Sequence, residues 1–207
     1  MYAMILLIKP KMNSQLAQNN YIHIPNFITS IEAHKLANEL IEYSTLPGNE
    51  MSSDPQVPNS LSKYNFLPFT KFLVRKMQNV SEILEEEILP TYCYTRIYKN
   101  ADVLTRHRDR SACEISITLN LKKDVNWPIW FQKPNGEEVS LELNPGDAVM
   151  YLGETADHWR NAYEGKEYVQ LFLHYVRAHG SKSWAVFDQL KQQRPTLEKG
   201  QIPVVVI

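Results

Sequence analysis

Two styles of hydrophobic patterning divide this chain. Up to Pro90, apolar residues recur at the three- and four-residue spacing of helices with one buried stripe. Beyond Pro90 they form short alternating or continuous runs, separated by turn residues. The first helix is expected to open at Thr29, where Thr29 and Glu32 have capping-box spacing. Its stripe is Ile31, Leu36, Ala37, Leu40 and Ile41. A second helix is expected from about Pro68 to Leu89, with the stripe Phe69, Phe72, Leu73, Met77, Val80, Leu84 and Ile88. Pro90 would end it, because proline lacks the N–H and clashes with the preceding turn. The run Glu85, Glu86, Glu87 reads as a solvated helix face. Between the helices, the polar stretch Ser44–Asn65 reads as a lid or as a disordered surface connection.

The later runs are expected as strands at Tyr92–Tyr98, Glu114–Leu121, Ile129–Gln132, Ser140–Leu143, Ala148–Leu152 and Tyr168–Tyr175. Asn135-Gly136 marks a hairpin turn, and Pro145-Gly146-Asp147 another tight turn. Many short strands joined by turns predict an antiparallel sandwich or barrel, with the helices covering one sheet. The fold class is therefore mainly β (α+β). No repeat or low-complexity tract interrupts the chain.

Size and composition narrow the partners. The 207 residues suit one domain, and such a chain buries roughly 70% of its unfolded surface without staples. It divides into a helical support with a possible lid (1–90), a β core (91–180) and a C-terminal extension (181–207). A net charge of −1 removes the argument from strong basicity, so a nucleic-acid partner is not expected. Two cysteines, Cys93 and Cys113, exclude a disulfide scaffold and a Cys-rich zinc site, and suggest a reducing, cytoplasmic setting. No run reaches membrane-spanning length. Tyr2–Ile8 is apolar, but it lacks a preceding charge and a small-residue cleavage site, so it reads as a strand and not as a secretory signal.

The chemistry concentrates around one pair. His107 and Asp109 stand two apart, and on an extended chain such residues project to the same face and can grip one ion together. His158, 51 residues after His107 and just beyond the Pro-Gly-Asp strand, is the candidate third ligand. Two imidazoles and a carboxylate on one face of an octahedron form the triad of non-haem Fe(II) oxygenases. Three positions stay open, two for a chelating 2-oxo acid and one for dioxygen. His174, deep in an apolar strand, competes with His158. His23, His34 and His179 read as surface or satisfied core residues. If His107 and Asp109 face the metal, Arg106, Arg108 and Arg110 face away and pair on the surface. Trp130 reads as core, while Trp127 and Trp159 could floor a pocket.

The surroundings of the pair, from Pro90 to Val176, resemble the Fe(II)/2-oxoglutarate dioxygenases of the prolyl 4-hydroxylase type. The pieces stand in family order: Arg96-Ile-Tyr98, His107 and Asp109, the strand Ile115–Asn120, Leu143–Gly153 around Pro-Gly-Asp, His158, Gly165, and the strand Gln170–Tyr175. Tyr21–Ile28 followed by a helix is similar to the family's opening. The resemblance implies a distorted double-stranded β-helix, or jelly roll, with N-terminal helices packed on one sheet. It implies Fe(II) on His107, Asp109 and His158, 2-oxoglutarate as co-substrate, and ascorbate as a further candidate. It matches Tyr98 and Thr118 to hydroxyls that bond the co-substrate. The family's basic anchor, nine to eleven residues after the distal histidine, is absent, since Glu167, Tyr168 and Val169 stand there. Arg160 and Lys166 are the substitutes. Arg160 has the better direction, two residues from His158, and Lys166 has the closer position. The implied reaction is hydroxylation of a C–H bond in a peptidyl proline or a small molecule, with release of succinate and CO2. A non-redox β-sandwich metalloprotein and a binding module without metal are the alternatives.

Overall fold

The computed structural model describes residues 13–188. Tyr2–Ile8 and most of the C-terminal extension lie outside these residues. Eleven described strands form two antiparallel sheets, and three α-helices lie before the fourth strand. In chain order the elements are α1 (Ser14–Asn19), β1 (Tyr21–Ile24), α2 (Ser30–Thr45), β2 (Ser52–Asp54), β3 (Val57–Tyr64), α3 (Leu67–Leu84) and β4 (Ile88–Lys99). Then come β5 (Leu104–His107), β6 (Ile115–Lys123), β7 (Ile129–Gln132), β8 (Glu138–Leu141), β9 (Ala148–Tyr151), β10 (His158–Arg160) and β11 (Glu167–Arg177). The larger sheet runs β1-β9-β6-β11-β4-β3-β2, and the smaller runs β5-β10-β7-β8. This is the expected jelly roll.

Strand alternation sorts the larger sheet into two faces. Cys93 and Ile97 of β4, Ile117 and Leu119 of β6, and Leu171 and Leu173 of β11 meet Leu36, Leu40, Phe69, Leu73 and Val80 of α2 and α3 in one core. The alternate residues point between the sheets: Tyr94, Arg96 and Tyr98 from β4, Ser116 and Thr118 from β6, and Gln170, Phe172 and His174 from β11. That interior face carries the polar chemistry.

Several local expectations change. Thr29 does cap α2, its Oγ1 accepting from the Glu32 N–H at 3.1 Å. Glu32 does not reach back; it pairs with Arg75 at 2.7 Å. Ile31 is 81% exposed and leaves the buried stripe. The second helix stops at Leu84, where Glu85 turns left-handed with φ 61°. Ile88 and Leu89 are needed in β4, opposite Arg177 and Val176 of β11. Pro90 therefore sits inside a strand, at a bulge between His174 and Tyr175 that tolerates its missing donor. The three glutamates are not a solvated helix face: Glu86 accepts from Arg177 Nε at 2.8 Å, and its side chain is nearly buried.

Ser44–Asn65 is not a featureless loop. It ends α2 and then forms the hairpin β2–β3, with Leu61–Tyr64 paired to Ile97–Tyr94 of β4. The Pro145-Gly146-Asp147 turn works as read. Gly146 has φ +99°, and a Cβ there would lie 2.4 Å from the Ile28 carbonyl oxygen. Asp147 accepts from the N–H groups of Asn26 and Asn144, tying the N-terminal segment to the sheet. Trp127, not Trp130, is the buried tryptophan. Trp130 is half-buried and stacks on Trp159 at 6.0 Å. Among the described residues, no helix is long and apolar enough to cross a membrane.

Candidate metal centre

His107 closes β5, and His158 opens β10. The two strands pair antiparallel with these residues directly opposite. Asp109 lies just past the end of β5, its N–H held by the Gly153 carbonyl at 2.8 Å. One ligand atom from each of the three lies within 4.8 Å of the others. The Nε2 atoms of His107 and His158 are 3.6 and 3.7 Å from Asp109 Oδ1.

The tautomers follow from the other ring nitrogens. His107 Nδ1 meets the Thr105 carbonyl at 2.8 Å, and His158 Nδ1 meets the Ala156 carbonyl at 3.0 Å. Carbonyls only accept, so each Nδ1 carries a hydrogen, which leaves each Nε2, facing Asp109, as the atom that would ligate a metal. Burial pushes His158 below its ordinary pKa, against the pull of Asp109, a shift toward the neutral form that a ligand needs. Burial works to raise the Asp109 carboxyl. The three histidines around it, His158 foremost, outweigh burial and hold Asp109 well below the usual carboxylate range. One carboxylate and two imidazoles make up a donor set suited to a divalent transition metal.

A second group shares the carboxylate: Asp109, Cys113 and His174 also offer atoms within 4.8 Å. Its chemistry fits a metal less well. Burial pushes the Cys113 thiol far up, and its Sγ lies 2.9 Å from the Tyr92 hydroxyl. His174 Nδ1 is 2.9 Å from Ser116 Oγ, which also lies 3.1 Å from Asp109 Oδ2. His174 thus orients the carboxylate through Ser116.

The centre opens on a cavity of about 190 Å³ whose far wall carries Asp54, Gln56, Tyr94 and Arg96. The hairpin within 44–65 therefore supplies a wall of the site. Arg96 was visible in the sequence only as part of a motif, yet it is the buried cation of this cavity, paired with Asp54 at 2.7 Å. Arg106 and Arg108 form surface pairs with Glu138 and Asp157, as alternation requires. Arg110 pairs with Asp188 but also lines the cavity, so it does not simply face away.

The co-substrate candidates separate. Lys166 is exposed on its turn and does not line the cavity. Only its N–H is engaged, by Asp124 at 2.7 Å. Arg160, Thr118, Gln170 and Tyr98 do not line that cavity either; what separates the two cations is burial. Arg160 is 1% exposed, on the same strand face as His158 and deeper between the sheets. It donates to the Trp127 carbonyl, to the Tyr168 hydroxyl at 3.3 Å and to Gln170 Oε1 at 3.4 Å. Gln170 Nε2 donates to Thr118 Oγ1 at 2.6 Å. Neighbouring Asn120 is fully buried, and neither of its amide atoms has a partner. Among the described residues no carboxylate reaches Arg160. The Tyr98 hydroxyl accepts from Arg96 at 3.3 Å, and its ring packs on Trp127 and Tyr168, the two rings that Arg160 stacks on.

No family model matches the chain, and no curated protein matches it in sequence. Solved structures do match. A Pseudomonas putida prolyl 4-hydroxylase aligns with TM-score 0.65 at 17% identity, over 79% of this chain and 95% of that one. The chain has the fold of the Fe(II)/2-oxoglutarate oxygenases, prolyl 4-hydroxylase-like in layout. The epimerase SnoN, in complex with Fe3+, α-ketoglutarate and nogalamycin RO, aligns with TM-score 0.68 at 11% identity, over 93% and 94% of the two chains. HygX from Streptomyces hygroscopicus, with nickel and 2-oxoglutarate bound, gives 0.62 at 13% identity, over 81% and 86%.

Proposed function

We propose that this chain is a non-haem Fe(II)- and 2-oxoglutarate-dependent oxygenase that hydroxylates a C–H bond and releases succinate and CO2. The observation that carries the reading is the convergence of His107 Nε2, Asp109 Oδ1 and His158 Nε2 at a cavity of this fold. Bound Fe(II) would supply the activation of dioxygen that side chains alone do not provide. The residues do the rest. The Thr105 and Ala156 carbonyls hold the two imidazoles with Nε2 inward. Ser116 and the Gly153 carbonyl hold Asp109.

The fit to 2-oxoglutarate rests on the deep polar cluster. A buried guanidinium without a carboxylate is costly, and an incoming anion relieves that cost. Arg160, Gln170, Thr118 and the unpartnered Asn120 amide together offer the charge and donors for the distal carboxylate. Arg160 lies two residues from His158 on β10, so the same strand would supply both a metal ligand and the co-substrate's anchor. The substrate, a peptidyl proline or a small molecule, enters from the cavity side. Ascorbate belongs in the assay as a candidate reductant.

The test is anaerobic iron titration together with conversion of 2-oxoglutarate to succinate. His107→Ala, Asp109→Ala and His158→Ala should each lose iron binding and turnover, while circular dichroism stays unchanged. If His158→Ala keeps both and His174→Ala loses them, the Asp109, Cys113 and His174 group is the metal centre instead.

A further inference from the structure

The wall of the cavity opposite the metal ligands carries a complete ion pair. Arg96 is 2% exposed, and its short contact with an anion is NH2 to Asp54 Oδ2 at 2.7 Å. NH1 reaches only neutral oxygens at long range, Gln56 Oε1 at 3.4 Å and Tyr98 Oη at 3.3 Å. Nε has no acceptor at all. NH2 also donates to the Tyr94 hydroxyl at 3.0 Å and to Gln56 Oε1 at 3.3 Å, so of the five N–H donors of this guanidinium Nε–H is the one left without an acceptor. Asp54 is partly open on the edge strand β2, accepting from the Tyr94 hydroxyl at 2.7 Å and the Gln56 N–H at 2.8 Å. A buried ion pair stabilises a fold little more than a well-packed apolar pair would. Stability alone therefore gives a weak reason for this one, and its place on the cavity wall points to recognition.

The pair selects by charge. A ligand bearing only a carboxylate meets repulsion from Asp54, and one bearing only an ammonium meets it from Arg96. A ligand bearing both, one carbon apart, answers both at once: its carboxylate takes the NH1 edge of Arg96 and its ammonium takes Asp54. Tyr64, Tyr94 and Phe172 form an aromatic wall beside the pair, suited to an amino-acid side chain. At about 190 Å³ the cavity lies below the usual range for drug-sized ligands. A peptide bond on either side of the residue would also erase the charges that the wall answers.

We infer that the primary substrate is a free α-amino acid, held by Arg96 and Asp54 with its side chain toward the metal centre. This inference rests on the oxygenase reading above. The experiment uses the full chain loaded with Fe(II) and 2-oxoglutarate under anaerobic conditions. The visible charge-transfer band of the chelate reports that reading independently of any substrate. Air is then admitted, and succinate release is measured with each of the twenty proteinogenic amino acids, one at a time. The best stimulants are repeated as the N-acetyl, C-terminal amide, decarboxylated and deaminated forms.

At least one free amino acid should raise succinate release tenfold or more above the uncoupled rate, and blocking either charge should return it to background. Asp54→Asn should retain the band, lower that stimulation at least tenfold, and narrow the gap between the amino acid and its deaminated form. Arg96→Gln should lose the stimulation; if this buried position does not tolerate the change, Asp54→Asn decides. The inference is overturned if the band forms and no amino acid stimulates, or if blocked forms work as well as free ones. It is also overturned if Asp54→Asn keeps full discrimination, which would make the pair a structural bridge. Absence of the band refutes the oxygenase reading itself, and this inference with it.

Discussion

Arg160 and Lys166 show how burial decides between residues that sequence position leaves level. Both stand within ten residues of His158. Only Arg160 is buried, and only Arg160 faces a polar cluster without a carboxylate of its own. Arg160→Ala should raise the apparent KM for 2-oxoglutarate by one to two orders of magnitude, roughly the 1.5–3 kcal/mol of a hydrogen bond to a charged group. Lys166→Ala should leave KM unchanged, and a large effect there would restore the turn residue as anchor. Gly153 matters for a different reason. A Cβ at this position would come within 2.1 Å of the Cys113 carbonyl oxygen and 2.9 Å of Asp109 Oδ2. Gly153→Ala should therefore displace the carboxylate and weaken iron binding about tenfold or more, in the range seen when the partners of metal ligands are lost. Unchanged affinity in an anaerobic titration would show that Asp109 has room to adjust.

At the scale of elements, the hairpin β2–β3 bears most on the site. Its polar composition suggests a segment ordered only by ligand. Yet β3 gains backbone partners along β4 from Leu61 to Tyr64, and Asp54 is held by Arg96 and Tyr94. Amide exchange should accordingly show protection along Leu61–Tyr64 without 2-oxoglutarate, and little change on adding it. Protection that appears only with ligand would return this segment to the role of a lid. The helices α2 and α3 have a plainer task. They bury the apolar face of the larger sheet and so leave its opposite face free for polar side chains.

For the whole molecule, that polar interior links stability to pH. His174 is fully buried, and burial depresses its pKa to about 4, with Asp109 pulling the other way. In the unfolded chain an ordinary histidine titrates near 6.5. Between about 4 and 6.5 the unfolded state binds the extra proton, so stability is full above that window and falls as pH drops through it. The loss assignable to His174 is on the order of 1–3 kcal/mol. Urea unfolding of the metal-free protein from pH 7 to pH 4 should show this slope, and His174→Gln should flatten it. An equal slope in the variant would place the titration elsewhere, with depressed His158 the next group to test.

Local pattern was enough for β6, β7, β9 and β11, though not for the three-residue β10, and for the Thr29 cap, the Pro-Gly-Asp turn and the pairing of His107 with Asp109. Each depends on neighbours in sequence: alternation, a capping hydroxyl, a left-handed glycine, or a spacing of two. Other features needed partners far along the chain. Ile88 and Leu89 fit the stripe of a helix, and only their pairing with β11 makes them strand. The edge hairpin has too few apolar residues to announce itself, and β4 supplies what its composition lacks. Arg96 gave no local sign of its role, because its meaning comes from Asp54, 42 residues away. The likeness to a known family located the candidate metal ligands along the chain. Folding brought His158 opposite His107, made Arg160 a buried cation without a counter-charge and left Lys166 in solvent, because burial and opposition across a sheet are properties of the folded molecule.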